Sequence, residues 1–250
     1  MCRLRFFSPA AWALLLAGAL SGTTGSRQAH AATPNELARA VVRLPSHGAS
    51  ATVIGTAAGQ SWLLSCAHAF AGADRNKRII VDVPARAPLG WPKDVGIQLL
   101  DVDYDNDLAL ILLHDGPLDF AAAVAPEGHA PGRRLLSVGY DQMQVPARER
   151  PATILVNTGS ITFTRERPWH GRSGGALLDL DSGYLIGVVS GYEVTGQRRG
   201  MYVAHAAIRR FLDRWQRGTA PLAGRNYLED RPLSGGFSTP LPFCPPGSRS

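Results

Sequence analysis

Three short segments of the sequence hold residue types that can carry out nucleophilic chemistry together. His68 ends the segment LSCAH, Asp107 lies within NDLAL, and Ser173 lies within GRSGGAL. A serine hydroxyl is a weak nucleophile at neutral pH and needs a positioned base. Histidine suits that task because its pKa lies near neutrality, and a carboxylate on its second nitrogen fixes the tautomer. The segments therefore predict hydrolysis by a Ser-His-Asp site.

Glycines surround the candidate nucleophile. Gly171, Gly174 and Gly175 let the backbone turn so that N–H groups point at a developing oxyanion. Taken singly, each segment also has a structural interpretation: a histidine beside a strand, an aspartate in a turn, and a serine in a tight glycine turn. The presence of all three in one chain favours the catalytic interpretation.

Short strands must position these segments. Apolar runs rich in Val, Ile and Leu recur between Ala51 and Ala204, among them Arg78–Val83 and Leu108–Leu113, with turn residues between them. Runs at this spacing predict an all-β sandwich or barrel.

A helix is predicted after the last strand, over residues 205–216. Its apolar stripe repeats at i, i+3, i+4 and i+7 and consists of Ile208, Phe211, Leu212 and Trp215. Residues 217–250 hold six Pro and five Gly among 34 positions, which predicts a Pro/Gly-rich tail outside the core.

Composition excludes several classes of protein. The 250 residues are 45% hydrophobic and 18% charged, which is typical of a globular chain and not of a disordered or fibrous one. Three cysteines are too few for a disulfide scaffold. No segment reaches the roughly 18 consecutive apolar residues of a membrane helix, so we expect no stable membrane insertion.

The first 31 residues have the pattern of an export signal. Arg3 and Arg5 precede the apolar stretch Ala10–Leu20, and small residues end the segment before Ala32. We expect a secreted or periplasmic protein whose mature chain begins at Ala32. Removal of residues 1–31 lowers the net charge from +6 to +3, so we expect no nucleic-acid partner.

The three segments, in this order, resemble the trypsin-like (chymotrypsin-fold) serine peptidases. The pattern AH, then DLAL, then GxSGG before an apolar strand is typical of that family. The closer likeness is to the bacterial branch that includes the HtrA-type proteases, because SVGY at 137–140 and LIGV at 185–188 match its strands. The resemblance covers residues 36–216 and implies a form without a PDZ domain.

The resemblance implies an all-β fold of two antiparallel β-barrels of the chymotrypsin type, with a C-terminal helix. The peptidase domain spans 32–216, with barrels at about 36–120 and 130–204 and the helix at 205–216. The first barrel supplies the histidine and aspartate, the second supplies the serine, and a peptide binds between them.

The resemblance also assigns roles to residues. His68 is the general base, Asp107 orients it, and Ser173 is the nucleophile that forms an acyl-enzyme intermediate. The N–H groups of Gly171 and Ser173 form the oxyanion hole. Ser190 lies near the carboxylate of Asp107.

Three residues are assigned to the substrate pocket by the resemblance: Arg167, Ser190 and Tyr192. Arg167, six positions before the nucleophile, corresponds to the pocket floor, where a cation favours acidic side chains. An Arg167 that faces solvent instead is an open alternative. Tyr192 falls near a wall position and narrows the pocket toward small side chains. No acid lies between Arg167 and the nucleophile, so we expect no preference for Arg or Lys.

Two positions depart from the animal members of the family. Cys66 is expected to be a small buried residue, and a disulfide between Cys66 and Cys244 stays open.

Arg172 stands where those members have an aspartate that pairs with a freed N-terminal amine. Two cations cannot form that pair, so we expect no N-terminal latch. We expect backbone hydrogen bonds in the loop 166–172 to hold Gly171 in place instead.

Two other functions remain as alternatives. A catalytically inactive homologue would bind a partner through the same cleft. A serine esterase of the α/β-hydrolase type shares the GxSxG pattern, but its order of Ser, acid and His leaves only His205 after Ser173. The histidines are scattered, so we expect no metal and no cofactor. The predicted partner is a protein or peptide substrate, and the oligomeric state stays open.

Overall fold

The computed structural model describes residues 33–57, 59–71, 79–82, 97–114, 118, 120–128, 132–194 and 196–218. The predicted export signal, residues 219–250 of the predicted tail, and Cys244 lie outside the described residues.

The described chain is built mainly of strands. The helices are α1 (Pro34–Ala38) and α2 (His205–Gln216). The strands are β1 (Val41–Leu44), β2 (Ala49–Ala57), β3 (Gln60–Ser65), β4 (Ile97–Asp103), β5 (Leu108–Leu113), β6 (Leu135–Gly139), β7 (Arg148–Ala152), β8 (Ile154–Asn157), β9 (Ile161–Thr164), β10 (Ala176–Asp179), β11 (Leu185–Tyr192) and β12 (Gly200–Ala204). Short 3₁₀ turns cover Pro45–His47, Ala67–Phe70 and Asp141–Met143.

The strands form two curled antiparallel sheets. The first sheet has the order β1-β2-β3-β5-β4, and the second has the order β7-β6-β10-β11-β12-β9-β8. Register shifts occur in β2, β4 and β11, among others, and such bulges increase strand curvature. The expected all-β architecture with a C-terminal helix is confirmed.

One apolar core joins the two sheets. Leu64 and Leu110 of the first sheet belong to the same buried cluster as Val138 and Val188 of the second. The helix α2 covers this cluster with the stripe that the sequence predicts: Ile208 and Phe211 are fully buried, and Leu212 and Trp215 pack against them. Because the sheets share a core, loops at their junction are held in fixed relative positions.

Two strand predictions differ from the structure. Of the run Arg78–Val83, only residues 79–82 are described, and they form an isolated bridge between Asp82 and Arg43. The strand β7 was not predicted, because its sequence RERPA carries charges and a proline. It lies at a sheet edge, where such residues are tolerated and discourage further pairing. No helix in the described segments is long and apolar enough to cross a membrane.

Candidate active site

His68 and Asp107 meet at one edge of the first sheet. His68 lies in the 3₁₀ turn after β3, and Asp107 lies in the turn that leads into β5, the strand paired with β3. The Nδ1 atom of His68 is 2.9 Å from Oδ2 and 3.0 Å from Oδ1 of Asp107. The backbone N–H of His68 donates to the same carboxylate at 2.9 Å. Asp107 therefore fixes both the ring and its backbone, and leaves Nε2 on the opposite side.

Ser190 connects this pair to the second sheet. Its hydroxyl, on β11, donates to Oδ2 of Asp107 at 2.5 Å. Hydrogen bonds to a carboxylate are short and strong, so Ser190 helps to hold the Asp107 side chain in position. The expectation that Ser190 lies near this carboxylate matches the geometry.

Ser173 lies in the loop that enters β10. Its carbonyl oxygen accepts a hydrogen bond from the backbone N–H of Ser50 at 2.7 Å. The following Gly174 has φ +82°, and a Cβ there would overlap the carbonyl oxygen of Ser50 and the hydroxyl of Ser65. The glycine is therefore required for the loop to approach the first sheet so closely.

The Ser173 hydroxyl faces β11. Its Oγ lies 3.5 Å from the carbonyl oxygen of Ser190. Within the described part of the chain, no hydrogen bond joins the Ser173 hydroxyl to His68. The structure thus brings all three predicted residues to one junction, but joins only His68 and Asp107 directly.

Cys66 occupies the side of the imidazole that Asp107 leaves open. Its Sγ lies 3.6 Å from Nε2 of His68, and its side chain is fully buried. Burial of the ring lowers the pKa of His68, but the Cys66 sulfur and the Asp107 carboxylate together raise that pKa by more, so the net change is upward. Cys66 is buried as expected, and it forms no disulfide with any residue that the structure describes. Its contact with the imidazole was not predicted.

The candidate oxyanion donors have no competing backbone acceptor. Among the described residues, neither Gly171 N–H nor Ser173 N–H makes a backbone hydrogen bond. Gly171 has φ +85°, and a Cβ there would lie 2.5 Å from the carbonyl oxygen of Tyr140. A side chain at this position is excluded both by backbone conformation and by space.

Arg172 corrects one expectation from the sequence. It is fully buried, and its Nε donates to Oδ1 of Asp141 at 2.7 Å. An ion pair, and not backbone hydrogen bonds alone, therefore anchors this loop. A buried guanidinium requires a nearby carboxylate. The sequence did not single out Asp141, although the stretch SVGYD contains the acid.

The predicted pocket residues lie together on the surface. The guanidinium of Arg167 lies 3.4 Å from the ring centroid of Tyr192, and the ring of His170 approaches the same tyrosine edge-on at 6.3 Å. Arg167 is exposed and Tyr192 is half-buried. The cation is thus fixed against the aromatic face and stays in contact with solvent.

The described residues form no group of three or more His, Cys, Asp or Glu side chains placed to hold a metal ion. The groups at this site can supply a nucleophile, a base, an orienting carboxylate and two amide donors.

Comparison with known families identifies the class of protein that this fold and site define. The sequence matches the trypsin-like peptidase domain over residues 49–188, which is more than half of the chain. The chain belongs to the trypsin-like peptidase family, a family of serine endopeptidases. No curated protein matches the sequence.

Solved structures share the fold. The M. tuberculosis protein Rv3671c, in an inactive mutant form, aligns with a TM-score of 0.57 and 19% identity, covering 75% of this chain and 91% of that one. The serine endoprotease of Yersinia pestis aligns with a TM-score of 0.59 and 18% identity, covering 76% and 68%. The HtrA-type protease AlgW, solved with a decapeptide, aligns with a TM-score of 0.57 and 21% identity, covering 73% and 67%. The predicted chymotrypsin-type fold and the likeness to HtrA-type proteases are confirmed.

Proposed function

We propose that this chain is an exported serine endopeptidase that cleaves peptide bonds through Ser173, His68 and Asp107. The observation that carries the proposal is the bidentate approach of Asp107 to Nδ1 of His68, at 2.9 and 3.0 Å. This contact selects the tautomer whose Nε2 can accept a proton. Trypsin-like family membership supports the same reaction class.

The proposed reaction has two steps, acylation of Ser173 and hydrolysis of the acyl-enzyme. The Ser173 Oγ attacks the peptide carbonyl carbon, and its proton passes to Nε2 of His68. The C–N bond then breaks, the amine leaves with that proton, and an acyl-enzyme ester remains. A water molecule then gives a proton to Nε2 of the same histidine and attacks the ester carbonyl carbon. The bond from that carbon to the Ser173 Oγ breaks, the proton passes from His68 to the Ser173 oxygen, and the acid is released. The N–H groups of Gly171 and Ser173 stabilise the oxyanion in both steps.

The free enzyme must rearrange slightly to react. The Ser173 hydroxyl must break its hydrogen bond to the carbonyl oxygen of Ser190. Nε2 of His68 must lose its contact with Cys66 and accept a hydrogen bond from the Ser173 hydroxyl. Catalytic hydrogen bonds are often long in free enzymes and tighten when the substrate binds. A peptide in the cleft supplies the contacts for that rearrangement.

Peptide hydrolysis by purified variants tests this proposal. Ser173→Ala, His68→Ala and Asp107→Asn should each lower kcat by about 10⁴-fold or more without unfolding the protein. Wild-type turnover in Ser173→Ala contradicts the mechanism. A folded wild-type protein that hydrolyses no peptide, but binds peptides, supports the inactive homologue instead.

Export is proposed from the sequence of residues 1–31. Arg3, Arg5 and the apolar stretch Ala10–Leu20 form the pattern of a cleaved signal. N-terminal sequencing of the protein recovered outside the cytoplasm should begin at Ala32. A full-length protein retained in the cytoplasm contradicts export.

A further inference from the structure

The residue before the nucleophile carries a buried charge. Arg172 is fully buried, and a guanidinium cannot lose its proton, so its charge must be compensated within the fold. Its Nε donates to Asp141, and its Nη1 donates to the carbonyl oxygen of Ser137 at 2.8 Å and to the Ser137 hydroxyl at 3.2 Å. Among the described residues, the buried Nη2 has no hydrogen-bond partner. A buried donor without a partner destabilises the folded state, which points to a role other than stability.

Asp141 begins the turn that packs against the oxyanion loop. The 3₁₀ turn Asp141–Met143 follows β6, and the backbone N–H of Gln142 donates to the carbonyl oxygen of His170 at 2.6 Å. Because a trans peptide directs its carbonyl and N–H to opposite sides, this bond directs the N–H of Gly171 away from the turn. That N–H is one of the two proposed oxyanion donors.

The turn itself is strained. Gln142 and Met143 both have left-handed backbone conformations, with φ +52° and +60°. Each such residue costs roughly 1–2 kcal/mol when it is not glycine. A turn of this kind persists only when its surroundings hold it, and the ion pair between Asp141 and Arg172 is a strong contact at its first residue.

Electrostatics keep the pair charged. Burial raises the pKa of Asp141, but the hydrogen bonds and charges of Arg172 and Arg150 outweigh burial and lower it. The two arginines differ in position: Arg172 is inside the protein, whereas the Arg150 side chain is 47% exposed and binds the other carboxylate oxygen at 2.9 Å. Arg150 therefore adds a second, more exposed charge to the same carboxylate.

We propose that Asp141 is a positioning residue for the oxyanion hole. Its buried ion pair with Arg172 clamps the turn Asp141–Met143 to the nucleophile loop, so that Gln142 holds the His170 carbonyl and Gly171 N–H faces the substrate. The clamp joins two segments of the same folded domain, so it requires no freed N-terminus. It rests on the proposed function, because it assumes that Gly171 N–H serves the reaction.

The test compares Asp141→Asn with Arg134→Ala, which removes an exposed ion pair with Asp181 that does not contact Asp141. We expect Asp141→Asn to lower kcat and the rate of acylation by a fluorophosphonate 10-fold to 100-fold, with KM changed less than about 3-fold, because an oxyanion donor acts in the transition state. Affinity for a peptide boronate, whose tetrahedral adduct needs the oxyanion hole, should fall in parallel. Arg134→Ala should keep all three values.

A double variant covers the case in which Asp141→Asn does not fold. Breaking one side of a buried pair costs about 3–5 kcal/mol, whereas replacing both partners by apolar residues is often tolerated. Asp141→Leu with Arg172→Met should fold, as measured by its thermal transition, and still acylate at least about 10-fold more slowly. Wild-type acylation by either folded variant overturns the clamp. Absence of acylation in the wild type overturns the proposed function instead.

Discussion

The sulfur of Cys66 lies 3.6 Å from Nε2 of His68, the imidazole nitrogen that accepts the Ser173 proton in the proposed reaction. The polarizable sulfur therefore contacts Nε2, on the side of the imidazole ring away from Asp107. Burial lowers the pKa of His68, and the Cys66 sulfur and Asp107 raise it by more. We therefore expect the acid limb of the pH–rate profile to depend on Cys66, a residue outside the proposed triad.

We predict that Cys66→Ala shifts this acid limb to lower pH. Only neutral His68 acts as a base, so kcat/KM falls as pH drops through its pKa. In the wild type the midpoint should lie above the ordinary value of about 6.5, and loss of the sulfur should move it down. Cys66→Ser retains a polar atom and should lie between the two. An unchanged midpoint in Cys66→Ala contradicts the role of the contact.

Ser190→Ala tests whether the Ser190 hydroxyl, on a strand of the second sheet, helps to hold the Asp107 carboxylate in position. The variant loses the 2.5 Å hydrogen bond to Asp107. A hydrogen bond to a charged group contributes about 1.5–3 kcal/mol, so kcat should fall roughly 10-fold to 100-fold. Peptide hydrolysis at saturating substrate measures the effect. A loss confined to KM would mean that Ser190 contacts only the substrate.

Gly171→Ala tests the geometry of the oxyanion loop. A Cβ there meets the Tyr140 carbonyl oxygen at 2.5 Å and demands a left-handed backbone from alanine. The loop must shift, so kcat should fall about 100-fold or more. Gly55→Ala is the matched control, because nothing lies within 4 Å of its added Cβ. Equal activity of the two variants would contradict this account of the loop.

Part of this site was predictable from sequence because its signals are local. The segments around His68, Asp107 and Ser173 each place a reactive side chain beside an apolar strand. The apolar stripe on α2 repeats with the period of an α-helix. The strand pattern predicted an all-β fold, and the family resemblance carried by these segments implied the two barrels and the meeting of the three residues.

The remaining features depend on contacts between distant segments. Asp141 lies 31 residues before Arg172, and Ser50, whose hydroxyl donates to the Gly171 carbonyl oxygen, lies 121 residues before that glycine. No local pattern marks either residue. A buried arginine beside the nucleophile does require an acidic partner, and that requirement was the one available signal for Asp141.

Activity should not depend on a freed N-terminus. The charge of Arg172 is already paired with Asp141, and an incoming amine would add a second cation. A chain expressed from Ala32 with several extra residues in front should hydrolyse peptides at the rate of the chain without them. An inert extended form that is switched on by trimming to one particular residue would demonstrate a latch.

Substrate choice should exclude basic side chains. Arg167, fixed on the ring of Tyr192, gives the predicted pocket a positive charge, which repels Arg and Lys at the cleaved position. A peptide library measures this preference directly. A profile dominated by cleavage after Arg or Lys would refute the assignment of Arg167 to the pocket.

The central claim is that Ser173 is a nucleophile activated at the junction of the two sheets. Its most direct test is labelling of the protein from Ala32 with a fluorophosphonate, followed by peptide mapping of the adduct. The account predicts one adduct on Ser173 in the wild type, much slower labelling in His68→Ala, and none in Ser173→Ala. A wild-type protein that stays unlabelled while folded, or an adduct on a different serine, would contradict it.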